Sequence, residues 1–146
     1  MTLVQVPCVE GNREHNFGNA RLLLEQYKPG GGIQFIQFPE LFAIGFRHED
    51  YPKEGPGVPG PTSDFLSSVA EDYGSYVIGT GIEKSDGKFY NTLVLAKPDG
   101  KISILPTKSF SKFCLSESVT STFICFDSIA FQNSLVYVYP LAAPNL

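Results

Sequence analysis

The order of apolar segments predicts an α/β fold, in which helices pack on a mixed β-sheet. Two observations support this prediction. The first half of the chain alternates short strand-like runs with stretches whose apolar residues have helical spacing. From residue 76 onwards the strand-like runs follow one another across turn sequences, which predicts antiparallel strands.

The individual elements follow from local signals. Asn12 is a plausible cap for a helix running to about residue 27, and a Pro-Gly run at 28–32 ends it. Thr62 or Ser63 can cap a second helix that ends at Gly74. The segment at 52–61 between these helices is rich in proline and glycine, which predicts a surface loop. Strands are predicted at 3–6, 33–38, 76–82, 89–96, 101–105, 122–126 and 135–139.

Composition excludes several classes of protein. The 146 residues and 42% hydrophobic content predict one globular domain with a real core. The net charge of −4 and the absence of a basic stripe give no reason to expect a nucleic-acid partner. No apolar run reaches membrane-spanning length, so we expect no membrane partner.

The three cysteines predict a reducing compartment and no metal. Cys8, Cys114 and Cys125 lack the tight spacing of a disulfide framework, so we expect reduced thiols and a cytoplasmic location. Cys8 and Cys114 also lack the spacing of zinc ligands when they are taken together with His15 and His48.

Glu40 is the most informative polar residue. It follows the apolar 33–38 run directly after Pro39, at the position where a strand should reach the rim of the sheet. A carboxylate at a cleft there is a candidate for proton transfer, although an exposed surface charge or a helix-start charge is the alternative.

Two further residues follow predicted strands in the same way. Lys108 alone would be a solvated surface group, and Cys125 alone a small buried hydrophobe. If both side chains meet Glu40 at one rim, the carboxylate can take the thiol proton and the thiolate can attack a carbonyl or nitrile carbon. The ammonium group would then stabilise the oxyanion.

Several segments resemble the nitrilase, or carbon–nitrogen hydrolase, superfamily. Phe-Pro-Glu-Leu-Phe at 38–42, followed by Gly-Phe at 45–46, is similar to the segment that carries its general-base glutamate. The strand at 76–83 with Tyr-Asn-Thr at 90–92 is similar to its next strands, and Ile-Cys-Phe-Asp at 124–127 to its nucleophile segment.

The resemblance implies a four-layer α-β-β-α sandwich, of which this chain would hold about half. Residues 1–146 would form a single, incomplete carbon–nitrogen hydrolase domain, assembled as a homodimer or higher homo-oligomer. It also implies a catalytic set in which Glu40 is the general base, Cys125 forms a thioester, and Lys108 and the Phe126 backbone N–H hold the oxyanion. Glu117 is the candidate for a second active-site glutamate. No metal or organic cofactor is implied.

The implied substrate is a small amide, an N-carbamoyl compound or a nitrile, hydrolysed with release of ammonia. A short dicarboxylate monoamide is a reasonable first choice. An anionic substrate would need an arginine, for which Arg47 is the nearest candidate in sequence, and Phe46 could line the entrance. A catalytically inactive interaction protein that keeps part of the fold is the alternative function. Nucleotide binding through the Gly-Thr-Gly sequence at 79–81 is a weaker one, because the spacing of a phosphate-binding loop is missing.

The sequence also departs from the family pattern. Pro106 and Thr107 replace the usual tyrosine and arginine before the lysine, and only 17 positions separate Lys108 from Cys125. We therefore expect segments to be missing between these two residues and after Leu146, with a natural truncation as the alternative.

Overall fold

A mixed five-stranded sheet organises the fold in a computed structural model that describes residues 1–54 and 57–104. The strand order is β1-β2-β3-β4-β5, with β1, β2 and β3 parallel to one another and β4 and β5 antiparallel to their neighbours. The mixed sheet confirms the predicted class. The strands are Thr2–Leu3 (β1), Phe35–Gln37 (β2), Tyr76–Ser85 (β3), Lys88–Ala96 (β4) and Ile102–Ile104 (β5). The helices are Arg13–Leu24 (α1), Tyr51–Glu54 (α2) and Pro61–Tyr73 (α3), with a 3-10 turn at His48–Asp50.

Helix α1 begins as predicted and ends earlier. The Asn12 side chain caps it by accepting a hydrogen bond of 3.1 Å from the His15 N–H. The helix ends at Leu24, because the N–H groups of Gln26 and Tyr27 bond to carbonyls only three residues back, which tightens the last turn. None of the helices in the described part of the chain is long and apolar enough to cross a membrane.

Helix α3 corrects the predicted cap. Gly60 is the N-cap, and Pro61 occupies the first helical position, where a missing N–H costs no hydrogen bond. Ser63 already lies in the first turn, where its Oγ accepts from the Gly60 N–H at 2.9 Å. The predicted end is confirmed, because Gly74 adopts a left-handed conformation with φ of +55°.

The proline- and glycine-rich segment is not the surface loop that its composition predicts. It opens with α2, and Val58 further along is fully buried. The N–H groups of Gly57 and Val58 donate to the Ile82 carbonyl at 2.7 and 3.0 Å, so the segment runs against the edge of β3. This approach requires Gly81, since a Cβ there would lie 2.7 Å from Val58 Cγ2.

Helix α3 covers one face of the sheet, and a cluster of four phenylalanines extends this core. Leu66 packs so closely on β3 that a Cβ on Gly79 would lie 2.9 Å from it. The four aromatic rings belong to Phe17, Phe38, Phe42 and Phe65. They join α1 and α3 to the segment that follows β2, so they fix where that segment leaves the sheet.

The buried side chain of Asn16 on α1 connects two loops through hydrogen bonds. Its side chain is completely buried, and its Nδ2 donates to the Val9 carbonyl at 2.8 Å and to the Ala43 carbonyl at 2.9 Å. Its Oδ1 accepts from the Val9 N–H at 2.8 Å. A buried amide with this many partners is costly to remove, because the backbone groups it satisfies would be left without partners.

We expect Asn16→Ala to lower the free energy of unfolding by about 3 kcal/mol, because it leaves buried backbone groups unpaired. Urea denaturation measures this loss. The matched control is Asn19→Ala on the same helix, whose amide forms an exposed hydrogen bond with the His15 ring. Apart from the change in helix propensity, Asn19→Ala should lower the free energy of unfolding by less than about 0.5 kcal/mol. Equal losses in the two variants would contradict the role given to Asn16.

Candidate functional site

Glu40 lies just beyond the carboxyl end of β2, as the sequence predicts. The Phe38 N–H still donates to the Ile78 carbonyl at 2.9 Å, which continues the pairing with β3. Pro39 then has no N–H to donate, so the pairing stops there. Glu40 follows with an exposed side chain, at the edge of the sheet where ligands bind in open α/β folds.

The residue after Glu40 has an unusual backbone. Leu41 is buried and has a φ of +49°, a conformation that costs a non-glycine residue about 1–2 kcal/mol. Its N–H donates to Thr80 Oγ1 on β3 at 2.8 Å, and its carbonyl accepts from the Gly45 N–H at 2.8 Å. This sharp turn sends the Leu41 side chain into the core while Glu40 stays outside.

Asn91 on β4 holds the Glu40 carboxylate. Its Nδ2 donates a hydrogen bond to Glu40 Oε1, and its backbone lies opposite Ile82 in the β3–β4 pairing. Partial burial raises the pKa of the Glu40 carboxyl, and the Asn91 hydrogen bond opposes this rise by stabilising the charged form. Sequence reasoning gave Asn91 no role, although an asparagine inside an apolar strand is itself an unusual choice.

Tyr51 is a second residue beside the site, and for it the sequence favours core or rim packing over lining the entrance. Its side chain is buried, and its ring packs edge-on against Phe89 at 6.1 Å between centroids. Its hydroxyl has no hydrogen-bond partner in the part of the chain that the structure describes. Burial, followed by the negative charges of Glu10 and Glu40, raises the pKa of Tyr51 to about 12. The phenol is therefore neutral at physiological pH and is able to donate a hydrogen bond.

The segment after Leu41 also carries the two predicted substrate-contacting residues that the structure describes. Phe46 is 45% exposed. The Arg47 Nε atom pairs with Asp50 Oδ2 at 2.5 Å, and the Arg47 backbone N–H donates to Glu10 Oε2 at 3.0 Å. Half of the Arg47 side chain is exposed, whereas that of Asp50 is almost fully buried. Arg47 is therefore held in place by a carboxylate of the protein.

The other predicted site residues, Lys108, Glu117, Cys125 and Phe126, lie outside the described residues, as do the predicted strands at 122–126 and 135–139. Within residues 1–54 and 57–104, no group of three or more histidine, cysteine or acidic side chains is placed to hold a metal ion.

Comparison with known proteins identifies similar sequences and folds. The sequence model of the carbon–nitrogen hydrolase family matches residues 1–123. The omega-amidase NIT2 of Xenopus tropicalis is 31% identical over 105 residues, which cover 71% of this chain and 37% of that protein. The omega-amidase NIT2-B of Xenopus laevis is 36% identical over 74 residues, which cover 50% of this chain and 27% of that protein. The matched regions thus span about a third of these relatives or less.

Solved structures share the fold. A carbon–nitrogen hydrolase superfamily protein from Xanthomonas campestris superposes with a TM-score of 0.57 and 25% identity, over 70% of this chain and 37% of that one. An N-terminal amidase in complex with an Asn-Glu-Ala peptide gives a TM-score of 0.54 at 22% identity, over 68% of this chain and 25% of that one. The mixed sheet with its helices is therefore the fold of these hydrolases.

We expect Thr80→Val to lower the free energy of unfolding by about 1–3 kcal/mol, because it leaves the buried Leu41 N–H without an acceptor in a strained turn. It should also shift the NMR resonance of the Glu40 carboxyl carbon. Denaturation and NMR check both effects. Thr2→Val in β1 is the control and should change neither quantity appreciably. A fully stable Thr80→Val protein would contradict this account of the turn.

Asn91→Asp should raise the pKa of Glu40 further, because it removes the N–H donor and places a second carboxyl group beside the first. Since the folded-state pKa would then lie further above the unfolded value, the destabilisation should be small near pH 4 and larger near pH 8. A titration followed by carboxyl-carbon NMR measures the pKa. Asn19→Asp, with the same charge change on α1, should leave Glu40 unaffected. A lowered Glu40 pKa in Asn91→Asp would refute the assigned contact.

Proposed function

The chain belongs to the carbon–nitrogen hydrolase family, and from that premise we propose that the protein is a thiol-dependent hydrolase of non-peptide carbon–nitrogen bonds. The observation that carries the proposal is the position of Glu40. It is the predicted general base, it stands at the carboxyl end of β2, and Asn91 holds its carboxylate. A surface carboxylate without a role would need neither the strained turn at Leu41 nor this partner.

In the proposed mechanism, Glu40 takes the proton of the Cys125 thiol and the thiolate attacks the amide carbon. The Lys108 ammonium and the Phe126 backbone N–H stabilise the oxyanion of the tetrahedral intermediate. The carbon–nitrogen bond then breaks, ammonia leaves with the proton that Glu40 returns, and a thioester remains. Water, deprotonated by Glu40, attacks the thioester and releases the carboxylic acid and the thiol. Glu117 is proposed as a second glutamate at the site.

The environment of Glu40 suits this role. A general base works best when its pKa lies close to the working pH, and partial burial moves the pKa of Glu40 in that direction. Because the charged form is the active one, the acid limb of the pH–activity profile should lie above the ordinary range for a glutamate.

Amides come first as proposed substrates. The relatives that resemble the chain are an omega-amidase and an N-terminal amidase by name, which favours an amide over a nitrile. We propose a short dicarboxylate monoamide or an N-carbamoyl compound, with Phe46 at the entrance and Arg47 near a carboxylate of the substrate. If Arg47→Ala leaves the apparent affinity for an anionic amide unchanged, Arg47 has no such role.

We further propose that the protein works in the cytoplasm as a homodimer or higher homo-oligomer. Sedimentation equilibrium of the purified protein tests the assembly, since a mass equal to one chain at micromolar concentration would refute it. Imaging of the tagged full chain in cells tests the location.

Three single variants should abolish ammonia release from small amides: Glu40→Gln, Lys108→Met and Cys125→Ala. Each should lower kcat/KM by at least about 1,000-fold, because the three groups act as a unit. Cys8→Ala and Cys114→Ala are the matched controls and should retain activity. Selective alkylation gives an independent check. If Cys125 resists an alkylating reagent in the folded protein while Cys8 or Cys114 reacts, the hydrolase proposal fails and a non-catalytic interaction protein becomes the better account.

A further inference from the structure

Two polar atoms near Glu40 are buried and have no hydrogen-bond partner among residues 1–54 and 57–104. One is the Tyr51 hydroxyl oxygen and the other is Asn91 Oδ1, on the amide whose Nδ2 holds Glu40. Buried polar groups are nearly always paired in folded proteins, because an unpaired one costs stability. Two of them beside a candidate catalytic carboxylate suggest that a bound molecule completes their hydrogen bonding.

The two atoms lie on the same side of the sheet. Phe89 and Asn91 are two residues apart on β4, and residues two apart in a strand point to the same face. The Tyr51 ring packs edge-on against Phe89, with 6.1 Å between the ring centroids. Tyr51 is therefore a neighbour of Asn91 on this face, and its phenol is close enough to Glu40 to respond to the charge of that residue.

The hydrogen-bonding groups near Glu40 limit which ligand can bind there. Asn91 Oδ1 can only accept a hydrogen bond, and so can the ionised Glu40 carboxylate. The Tyr51 hydroxyl is a neutral donor, since the pKa of this phenol is raised to about 12. A complementary ligand must offer N–H or O–H donors towards Asn91 and Glu40 and an acceptor towards Tyr51. A primary carboxamide has this arrangement, with two N–H donors and one carbonyl oxygen, whereas a nitrile has no donor.

We propose that Tyr51 and Asn91 form a carboxamide-binding pair beside Glu40, which makes the enzyme selective for primary amides over nitriles. This inference rests on the proposed hydrolase function and concerns the specificity of the same site. Asn91 Oδ1 accepts an N–H of the carboxamide group, and the Tyr51 hydroxyl donates to its carbonyl oxygen before the thiolate attacks.

Tyr51→Phe in the full chain is the sharpest test, because it removes one atom that has no hydrogen-bond partner among the described residues. The substrates are propionamide and propionitrile. We expect kcat/KM for propionamide to fall about tenfold, mainly through KM, while the value for propionitrile stays within twofold. The melting temperature should not fall, since the substitution removes no hydrogen bond within residues 1–54 and 57–104. Tyr73→Phe, at the far end of α3, is the matched control and should change none of these quantities.

Asn91→Leu provides a second variant. It also disturbs Glu40, so both substrates should react more slowly, but the ratio of amide to nitrile activity should fall about fivefold or more. An unchanged ratio in both Tyr51→Phe and Asn91→Leu would overturn the proposal. A lower melting temperature of Tyr51→Phe with equal losses on both substrates would also overturn it, since that is the result expected of a purely structural tyrosine.

A binding measurement separates this inference from the hydrolase proposal. If the wild-type protein hydrolyses neither compound, the proposed function fails, and the pair is then tested by NMR of the Asn91 side-chain amide. Propionamide should shift this resonance at millimolar concentration, and propionitrile should not. The shift should be lost in Tyr51→Phe and kept in Tyr73→Phe. If propionamide causes no shift in the wild-type protein, the carboxamide-binding pair is refuted as well.

Discussion

The hydrogen bond between the Leu41 N–H and Thr80 Oγ1 is the contact on which the site depends most directly. It links the segment after β2 to the neighbouring strand at the point where backbone pairing has ended, because Pro39 cannot donate. Leu41 adopts its left-handed conformation only because surrounding contacts outweigh the strain. The direction in which Glu40 leaves the sheet follows from this turn.

The rest of the segment is held by hydrogen bonds to α1 and to the residues just before it. Asn16 binds the Ala43 carbonyl, and the Gly11 N–H donates to the Ile44 carbonyl at 2.9 Å. The packing is close enough that a Cβ on Gly45 would meet the Glu10 carboxylate. Residues 8–11 therefore support the loop that carries Glu40, and this explains how a buried asparagine on α1 contributes to a site that it does not touch.

The sequence predicts those features that depend on local chemistry. The Asn12 cap, the Gly74 terminus and the alternating strands arise from short-range preferences, so they could be recognised in advance. The position of Glu40 was predictable for the same reason, since a strand followed by proline must end there. The predicted α/β class depends on these locally determined elements.

The features that were missed depend on contacts between distant segments. Val58 is buried because Gly81, 23 positions later, leaves room for it, and composition alone indicates a loop. The contact of Asn91 with Glu40 joins residues 51 positions apart and depends on the register of the β3–β4 hairpin. No single-residue preference encodes that register, so sequence reasoning could quote residues 90–92 for their resemblance but could not give Asn91 a partner.

The electrostatics of the described residues place a requirement on the rest of the site. Glu10 and Glu40 both act on Tyr51 as negative charges, while the nearby guanidinium of Arg47 is already paired with Asp50. In the proposed mechanism Glu40 becomes neutral when it takes the thiol proton, so the negative charge of the intermediate lies on the substrate oxygen, and the charge of Glu10 still opposes it from this part of the chain. The Tyr51 hydroxyl can supply one neutral donor to this oxygen, and a cation from another segment is still needed to balance its charge. The roles proposed for Lys108 and the Phe126 N–H have this chemistry, so the electrostatics around Glu40 are consistent with them.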